Sequence, residues 1–250
     1  SFPCTKSLVG CHNHPTARGV SDGVKMSCNP YFYYVMRKVV QQGKKNSHFA
    51  DAALGLDEWA DIVKSFGFGE DMHIDFPGMR SGFIPDTYYY DNEFPSKSKP
   101  YGPYGWAFST IYSNAIGQGE VLLTPLEIAN LACIVANRGW YYYPHFIRDV
   151  EGGAVPDIYA ERQKTKVDPE HFIPVVDGMW RVVHEPGGTA RRARVDSLNI
   201  CGKTGTAENF KQYDGKRHQL KDHSIFIAFA PKDDPQIAIS VYIENSGFGG

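Results

Sequence analysis

The hydrophobic pattern of this 250-residue chain is helical over most of its length and becomes strand-like only near the end. Apolar residues recur at helical spacing in four segments: from Asn29-Pro30 to Gly43, in Leu56–Phe66, from Thr124-Pro125 to Gly139, and in 168–185. Three β-rich runs follow: Leu198–Thr206, His223–Ala230 and Gln236–Glu244. Because helices precede consecutive strands, the order predicts an α+β fold with a helical cluster packed on an antiparallel sheet.

Local signals fix some of these boundaries. Thr124, Pro125 and Glu127 occupy the N-cap, first and third positions of a capping box, which predicts that a helix starts at Pro125. Asp214-Gly215 predicts a turn between strands. Three further segments complete the prediction: loops at 1–21 and 67–105, and an aromatic, β-like run at 140–150.

The composition excludes several classes of protein. A hydrophobic content of 42% with 22% charged residues indicates an ordered globular chain. The formal net charge of -2, with no basic block, does not favour nucleic acid as a partner. The sequence contains no run of 18 apolar residues, so it predicts no membrane-spanning helix within these 250 residues. Cys4 and Cys11 leave three states open, namely two thiols, a local disulfide or a weak metal site.

The run Lys203-Thr204-Gly205-Thr206 ends one of the β-rich segments and is a candidate for part of a catalytic or binding site. A phosphate-binding loop would need a glycine five residues before Gly202, where Ser197 stands, and a helix after the run. The residues that follow are polar and then strand-like, so the nucleotide-binding hypothesis is not supported. The run instead suits one wall of a serine acyl-transfer site, where Lys-Thr-Gly lies on an edge strand and its lysine supplies positive potential.

Such acyl-transferases combine Lys-Thr-Gly with Ser-x-x-Lys, which carries the nucleophile, and with Ser-x-Asn, which supplies a hydroxyl for proton relay and an amide for the substrate. Ser27-Cys28-Asn29 matches the Ser-x-Asn element just before a predicted helix. Ser197-Leu198-Asn199 matches it too, but it enters the same strand as Lys203 and could not face Lys203 across a cleft. The sequence therefore selects Ser27 and Asn29.

Several stretches together resemble the transpeptidase domain of class B penicillin-binding proteins, and the resemblance covers nearly the whole chain. The matching segments are 115–119 (AIGQG), 123–130 (LTPLEIAN), 188–190 (GTA), 203–208 (KTGTAE), 223–231 (HSIFIAFAP) and 241–245 (VYIEN). The IGQG form is similar to the elongation type, penicillin-binding protein 2, and 26–32 (MSCNPYF) resembles its Bacteroidetes-like version. Gly117, Gln118 and Gly119 are expected to shape a turn rather than to act in catalysis.

The resemblance implies a penicillin-binding transpeptidase (serine β-lactamase-like) fold, with catalytic Ser27, Asn29 and Lys203 and substrate-binding Thr204, Gly205 and Thr206. Ser27 would relay a proton, Asn29 would hold the acyl donor, and Lys203 would stabilise negative charge. The two threonines would bind a carboxylate, and the Thr206 N–H would form half of an oxyanion hole. Two structural alternatives stay open: Ser27 as a helix N-cap and Lys203 as a solvated edge residue.

The implied function is a peptidoglycan D,D-transpeptidase that cross-links stem peptides ending in D-Ala-D-Ala and is acylated by β-lactams. No metal or organic cofactor is implied. The expected partners are stem peptides, β-lactams and a cell-elongation machinery with a glycosyltransferase. The expected location is the periplasmic face of the inner membrane, with the anchor in the parent protein only. Two alternatives are a β-lactamase or penicillin-sensing domain, and a non-catalytic cell-wall scaffold.

The nucleophile is not evident. Ser-x-x-Lys occurs only at Ser96–Lys99, after Ser27 and before Pro100, whereas the family places it upstream at the start of a buried helix. We therefore expect residues 1–250 to form a partial transpeptidase domain, incomplete at both ends and inactive alone. Its 22–190 part would be mostly helical, and 191–250 would form the sheet together with absent upstream strands.

Overall fold

A computed structural model describes residues 14–95 and 105–247 of the chain. The α-helices within these ranges are α1 (Val20–Met26), α2 (Asn29–Val40), α3 (His48–Lys64), α4 (Thr87–Glu93), α5 (Phe108–Ile111), α6 (Pro125–Ala136) and α7 (Ile173–His184). Short 3-10 helices occupy 112–116, 157–159, 169–172 and 191–193. Within the described ranges, no helix combines the length and the apolar character that crossing a bilayer requires.

The described strands form one three-stranded sheet and two smaller ribbons. They are β1 (Trp140–Tyr141), β2 (Gln163–Lys164), β3 (Cys201–Ala207), β4 (Phe210–Tyr213), β5 (Lys216–Gln219), β6 (His223–Ala230) and β7 (Ile237–Ile243). The larger sheet is antiparallel with the order β3-β6-β7, so β3 lies at its edge among the described residues. β4 and β5 form a hairpin on the connection from β3 to β6, with Asp214-Gly215 at its turn as predicted.

The main core lies where α6 and α7 pack on the three-stranded sheet. Cys201 and Phe229 are paired in register on β3 and β6, and both are fully buried. They join one apolar cluster with Ile134 of α6 and Val182 of α7. This arrangement confirms the predicted α+β fold with helices packed on an antiparallel sheet. At the other side of the sheet, β7 leaves alternate apolar side chains exposed: Ile237, Ile239, Val241 and Ile243.

A second core holds α2 against α3. Met36 and Val40 of α2 pack with Leu56 of α3, and all three are buried together with Trp106. The two helices approach most closely at Gly55, where a Cβ atom would lie 2.4 Å from the Val40 Cα. Glycine therefore permits this crossing, and any larger residue would push the helices apart.

Helix α1 begins inside the segment that the sequence predicts as loop. It has seven residues, a glycine at its centre and no side-chain N-cap, so its local propensity is weak. Packing on α7 stabilises it instead, and the contact is so close that a Cβ atom on Gly178 would lie 2.7 Å from the Val24 Cβ. Two ion pairs add to this contact: Lys25–Glu185 at 2.6 Å and Arg181–Asp22 at 2.9 Å.

Three other boundaries differ from the sequence prediction. α3 begins at His48 rather than at Leu56, because the Ser47 side chain accepts a hydrogen bond from the Ala50 N–H at 3.1 Å. α4 lies within the predicted loop 67–105 and is likewise capped, by an aspartate. Of the β-like run 140–150, only the first two residues pair as a strand. Polar caps and missing strand partners, rather than hydrophobic periodicity, decide these boundaries.

The predicted capping box at the start of α6 is confirmed, and its glutamate makes further hydrogen bonds that the sequence does not indicate. The Thr124 hydroxyl accepts from the Glu127 N–H at 3.2 Å, and the Glu127 carboxylate accepts from the Thr124 N–H at 2.7 Å. Glu127 is buried and also accepts from the N–H groups of Gly69 and Gly82, each at 3.0 Å. One carboxylate thus ties the segment after α3 to the start of α6.

Replacing Glu127 by glutamine should lower the free energy of unfolding by about 2 kcal/mol. Glutamine keeps the size of the side chain but turns half of the acceptor group into a donor that faces backbone N–H groups. Urea unfolding measures the change. Glu151→Gln makes the same substitution at an exposed position and should stay within about 0.5 kcal/mol of the unmodified chain. Equal effects of the two variants would contradict the role given to Glu127.

Candidate active site

Ser27 lies at the junction of two helices. It is the C-cap of α1 in a left-handed conformation (φ 52°, ψ 52°), and Cys28, not Ser27, is the N-cap residue of α2. The structure therefore disagrees with the alternative that Ser27 caps α2. Its hydroxyl is directed to the sheet, while Asn29 is the first residue of α2.

The structure brings Ser27 and Lys203 together across 176 residues of sequence. Lys203 Nζ donates a hydrogen bond to Ser27 Oγ at 2.8 Å and another to the Thr204 carbonyl at 2.6 Å. Lys203 is therefore not a freely solvated edge lysine. Because an ammonium group has no acceptor, Ser27 Oγ must be the acceptor of this bond, and its own O–H proton is left to point elsewhere in the cleft.

The environment of Lys203 also changes its proton affinity. The residue as a whole is partly exposed, whereas its ammonium is enclosed by protein atoms. Burial disfavours the charged form and lowers the pKa of Lys203 to about 8. The group is thus mostly protonated at neutral pH, yet close to the pH at which it releases its proton.

The next residues of β3 contact two other segments. The hydroxyl of Thr204 lies 2.9 Å from that of Thr189, which follows α7. Gln118 Nε2 donates to the Thr206 main-chain carbonyl at 3.1 Å. Between them, Gly205 pairs in register with Ile225 of β6. Sequence reasoning gave Thr189 and Gln118 no part in the site, because their contacts are made only when distant segments pack.

Some predicted features fall outside the described residues. Ser96, the first residue of the lone Ser-x-x-Lys, lies there, as do Cys4 and Cys11. Cys28, Cys133 and Cys201 are free thiols. Within 14–95 and 105–247, no three His, Cys, Asp or Glu side chains are grouped so that they could hold a metal ion.

Comparison with known proteins identifies the family. The penicillin binding protein transpeptidase domain matches residues 5–250, which is nearly the whole chain. The chain belongs to the penicillin-binding protein transpeptidase domain family. The match confirms the resemblance drawn from the sequence motifs, and Ser27 and Lys203 lie in the segments that carried it.

Individual relatives point in the same direction. The chain is 30% identical to the peptidoglycan D,D-transpeptidase MrdA of Acinetobacter baumannii over 236 residues, which are 90% of this chain and 31% of that protein. The solved structure of Pseudomonas aeruginosa PBP2 in complex with WCK 5153 superposes with a TM-score of 0.71 at 28% identity. It covers 92% of this chain and 45% of that one. These relatives confirm the similarity to penicillin-binding protein 2.

A third comparison is with a structure of a peptidoglycan synthase complex that coordinates polymerization and crosslinking. Its matching chain has a TM-score of 0.68 at 25% identity, and the match covers 92% of this chain and 34% of that one.

The present chain spans about a third of the length of the curated relatives it matches.

The pKa of Lys203 gives a direct test of the site. NMR titration of the lysine side chains should show one resonance with a midpoint near pH 8 in the folded chain. The same residue should titrate near its ordinary value of 10.5 in urea, where no burial opposes the charge. Lys203→Arg should remove that resonance alone and so assign it. Equal midpoints in the folded and unfolded chains would show that the ammonium is solvated.

Proposed function

We propose that this chain forms two walls of a peptidoglycan D,D-transpeptidase site, which transfers an acyl group from a D-Ala-D-Ala stem peptide through a serine ester. The hydrogen bond between Lys203 Nζ and Ser27 Oγ carries the proposal. It places a hydroxyl that can pass a proton next to a cation that can stabilise negative charge. The family match and the MrdA relatives support the same reaction.

In the acylation step, a serine oxygen forms a bond to the carbonyl carbon of the penultimate D-Ala, and the peptide bond to the terminal D-Ala breaks. The proton of the nucleophile must reach the nitrogen that leaves. Ser27 suits this relay because Lys203 donates to its oxygen and leaves its O–H proton available to the leaving amine. As Ser27 gives that proton to the leaving nitrogen, the proton lost by the nucleophile is passed to the Ser27 oxygen, so that Ser27 is neutral again when the amine departs. In the second step, the amine of a neighbouring stem peptide attacks the ester, which forms the cross-link and frees the serine.

The edge of β3 suits an extended peptide that ends in a carboxylate. Thr204, Gly205 and Thr206 would align the substrate along the strand, as peptides commonly add to sheet edges. The terminal carboxylate would lie near the Lys203 ammonium and the threonine hydroxyls, which supply charge-assisted hydrogen bonds. The Thr206 N–H would stabilise the oxyanion, and the Asn29 amide would hold the donor peptide.

The position of the attacking serine is part of the proposal. Neither Ser27 nor any serine near it in sequence starts a Ser-x-x-Lys, and Ser96 lies in a polar segment between Pro95 and Pro100. We therefore assign Ser27 to proton relay and expect the attacking serine outside these 250 residues.

The partners and location that we propose are those of a cell-wall enzyme of the elongation type. We propose a glycosyltransferase of the cell-elongation machinery as a partner, and the similarity to a chain of a peptidoglycan synthase complex that coordinates polymerization and crosslinking supports this. The location we propose is the periplasmic face of the inner membrane, because the stem peptides of the proposed reaction lie there. A β-lactamase or a non-catalytic scaffold is less consistent with the MrdA and PBP2 relatives.

Intact mass after incubation with benzylpenicillin tests the function. The natural gene product should gain one penicilloyl adduct, and the 250-residue chain alone should gain none. Rapid loss of the adduct would indicate a β-lactamase, and no adduct on the gene product would indicate a scaffold. An adduct on the isolated chain, mapped to Ser96, would overturn the assignment of the nucleophile.

Two variants of the gene product test the roles proposed for Ser27 and Lys203. Ser27→Ala and Lys203→Ala should each slow acylation by about a hundredfold, because each removes a group needed in the transition state. Ser109→Ala and Lys211→Ala, at exposed positions, are matched controls and should react at the unmodified rate. Normal acylation of Ser27→Ala would exclude the relay.

A further inference from the structure

Gln118 connects the helical side of the cleft to the edge of β3. Its side-chain amide donates to the Thr206 carbonyl at 3.1 Å, although 88 residues separate the two in sequence. The sequence predicts only that this residue and its flanking glycines shape a turn. The contact instead reaches the strand whose main chain faces the substrate in the proposed reaction.

Gln118 lies in a tight turn between two glycines. Gly117 and Gly119 adopt left-handed conformations, with φ of 69° and 72°. A Cβ atom on Gly119 would lie 2.4 Å from Ser113 Oγ, so a larger residue would be strained by its positive φ and would displace the Ser113 side chain. The Gln118 N–H donates to the Ser113 carbonyl at 3.2 Å. The two glycines permit this left-handed turn, and the bond from the Gln118 N–H holds the turn so that the Gln118 side chain is directed at β3.

A buried polar group supports the same loop from below. The fully buried Tyr90 donates to the Glu120 carboxylate at 2.6 Å and accepts from Asn114 Nδ2 at 3.0 Å. Burial raises the pKa of the Tyr90 hydroxyl above its ordinary value, so the group stays a neutral donor. Tyr112 of the loop packs on Tyr33 of α2, with ring centroids 4.7 Å apart. The loop is thus tied to the helix that begins beside Ser27.

Two hydrogen bonds define the outward side of β3. The carbonyls of Thr204 and Thr206 accept from Lys203 Nζ and from Gln118 Nε2, and both donors lie on the cleft side of the strand. In an antiparallel sheet, the N–H and C=O of one residue point to the same side of the strand. A bond that fixes the Thr206 carbonyl therefore also fixes the direction of the Thr206 N–H.

We propose that Gln118 is a positioning residue of the acyl-transfer site, which holds the Thr206 peptide so that its N–H points at the carbonyl oxygen under attack. The inference rests on the proposed function, in which this N–H stabilises the oxyanion. Gln118 acts through the main chain of Thr206. Precise placement matters because an error of about 1 Å can cost about a hundredfold in rate.

The alternative role for this contact is a cover that blocks the Thr206 carbonyl. If the Gln118 amide covered the carbonyl and had to leave before substrate bound, its removal would speed the reaction. The hydrogen bond from the Gln118 N–H to the Ser113 carbonyl and the buried bond of Tyr90 to Glu120 favour a fixed donor over a mobile cover. The two roles therefore predict opposite signs for the same substitution.

The test compares Gln118→Ala and Gln118→Glu in the natural gene product with Gln212→Ala and Gln212→Glu, which make the same changes on the exposed strand β4. Hydrogen–deuterium exchange of peptides covering 200–210 reports the edge of β3 without any need for activity. Benzylpenicillin acylation, resolved into a binding constant and an acylation rate constant, reports the chemistry.

Gln118→Ala should speed exchange in 200–210 about fivefold, since one hydrogen bond at the edge is lost. It should lower the acylation rate constant about tenfold to a hundredfold and leave the binding constant nearly unchanged. Gln118→Glu should lower the acylation rate constant further, because a carboxylate repels the Thr206 carbonyl. The Gln212 variants should match the unmodified protein in both measurements.

Unchanged exchange in 200–210 would overturn the inference, whether or not the protein reacts with penicillin. Faster acylation of Gln118→Ala would overturn it in favour of a cover. If exchange rises in Gln118→Ala but the unmodified protein never reacts, the contact with β3 is supported and the proposed function is the part that fails.

Discussion

The close packing of α1 on α7 is the contact on which the site depends. Gly178 lets the two helices approach so closely that the Val24 side chain lies against the α7 backbone. α7 also packs against β3 through the buried Cys201, whose thiol lies 3.7 Å from the Val176 carbonyl. Helix α7 therefore positions both the C-terminus of α1, where Ser27 is the C-cap, and the strand that carries Lys203.

Burying the Lys203 ammonium has a thermodynamic cost. The folded-state pKa lies near 8 and the ordinary value is 10.5, so the folded protein binds this proton less tightly than the unfolded chain does. The penalty is fully present below about pH 8 and is relieved as the pH rises towards 10.5. A strained electrostatic position of this kind is typical of functional sites, and the packing of the surrounding elements offsets it.

Strong local signals were reliable guides to the fold. The capping box of Thr124 and Glu127 sets the start of α6, and β6 spans the predicted His223–Ala230. These elements are predictable because their caps or their apolar runs lie within a few residues of each other. α1 was not predictable, because seven residues with a central glycine form a helix only when α7 packs on them. α4 was missed because its aspartate cap lies in a Gly- and Pro-rich segment.

The family and the residues of the candidate site could be predicted from the amino-acid sequence, because Ser27-Cys28-Asn29 and Lys203-Thr204-Gly205 are contiguous motifs that can be read without a structure. The packed structure was needed to show that Ser27 Oγ accepts a hydrogen bond from Lys203 Nζ instead of capping α2, and that Gln118 donates to the Thr206 carbonyl. Hydrogen bonds between segments 176 and 88 residues apart leave no periodicity in the sequence. They arise from packing, and so does the burial that lowers the pKa of Lys203.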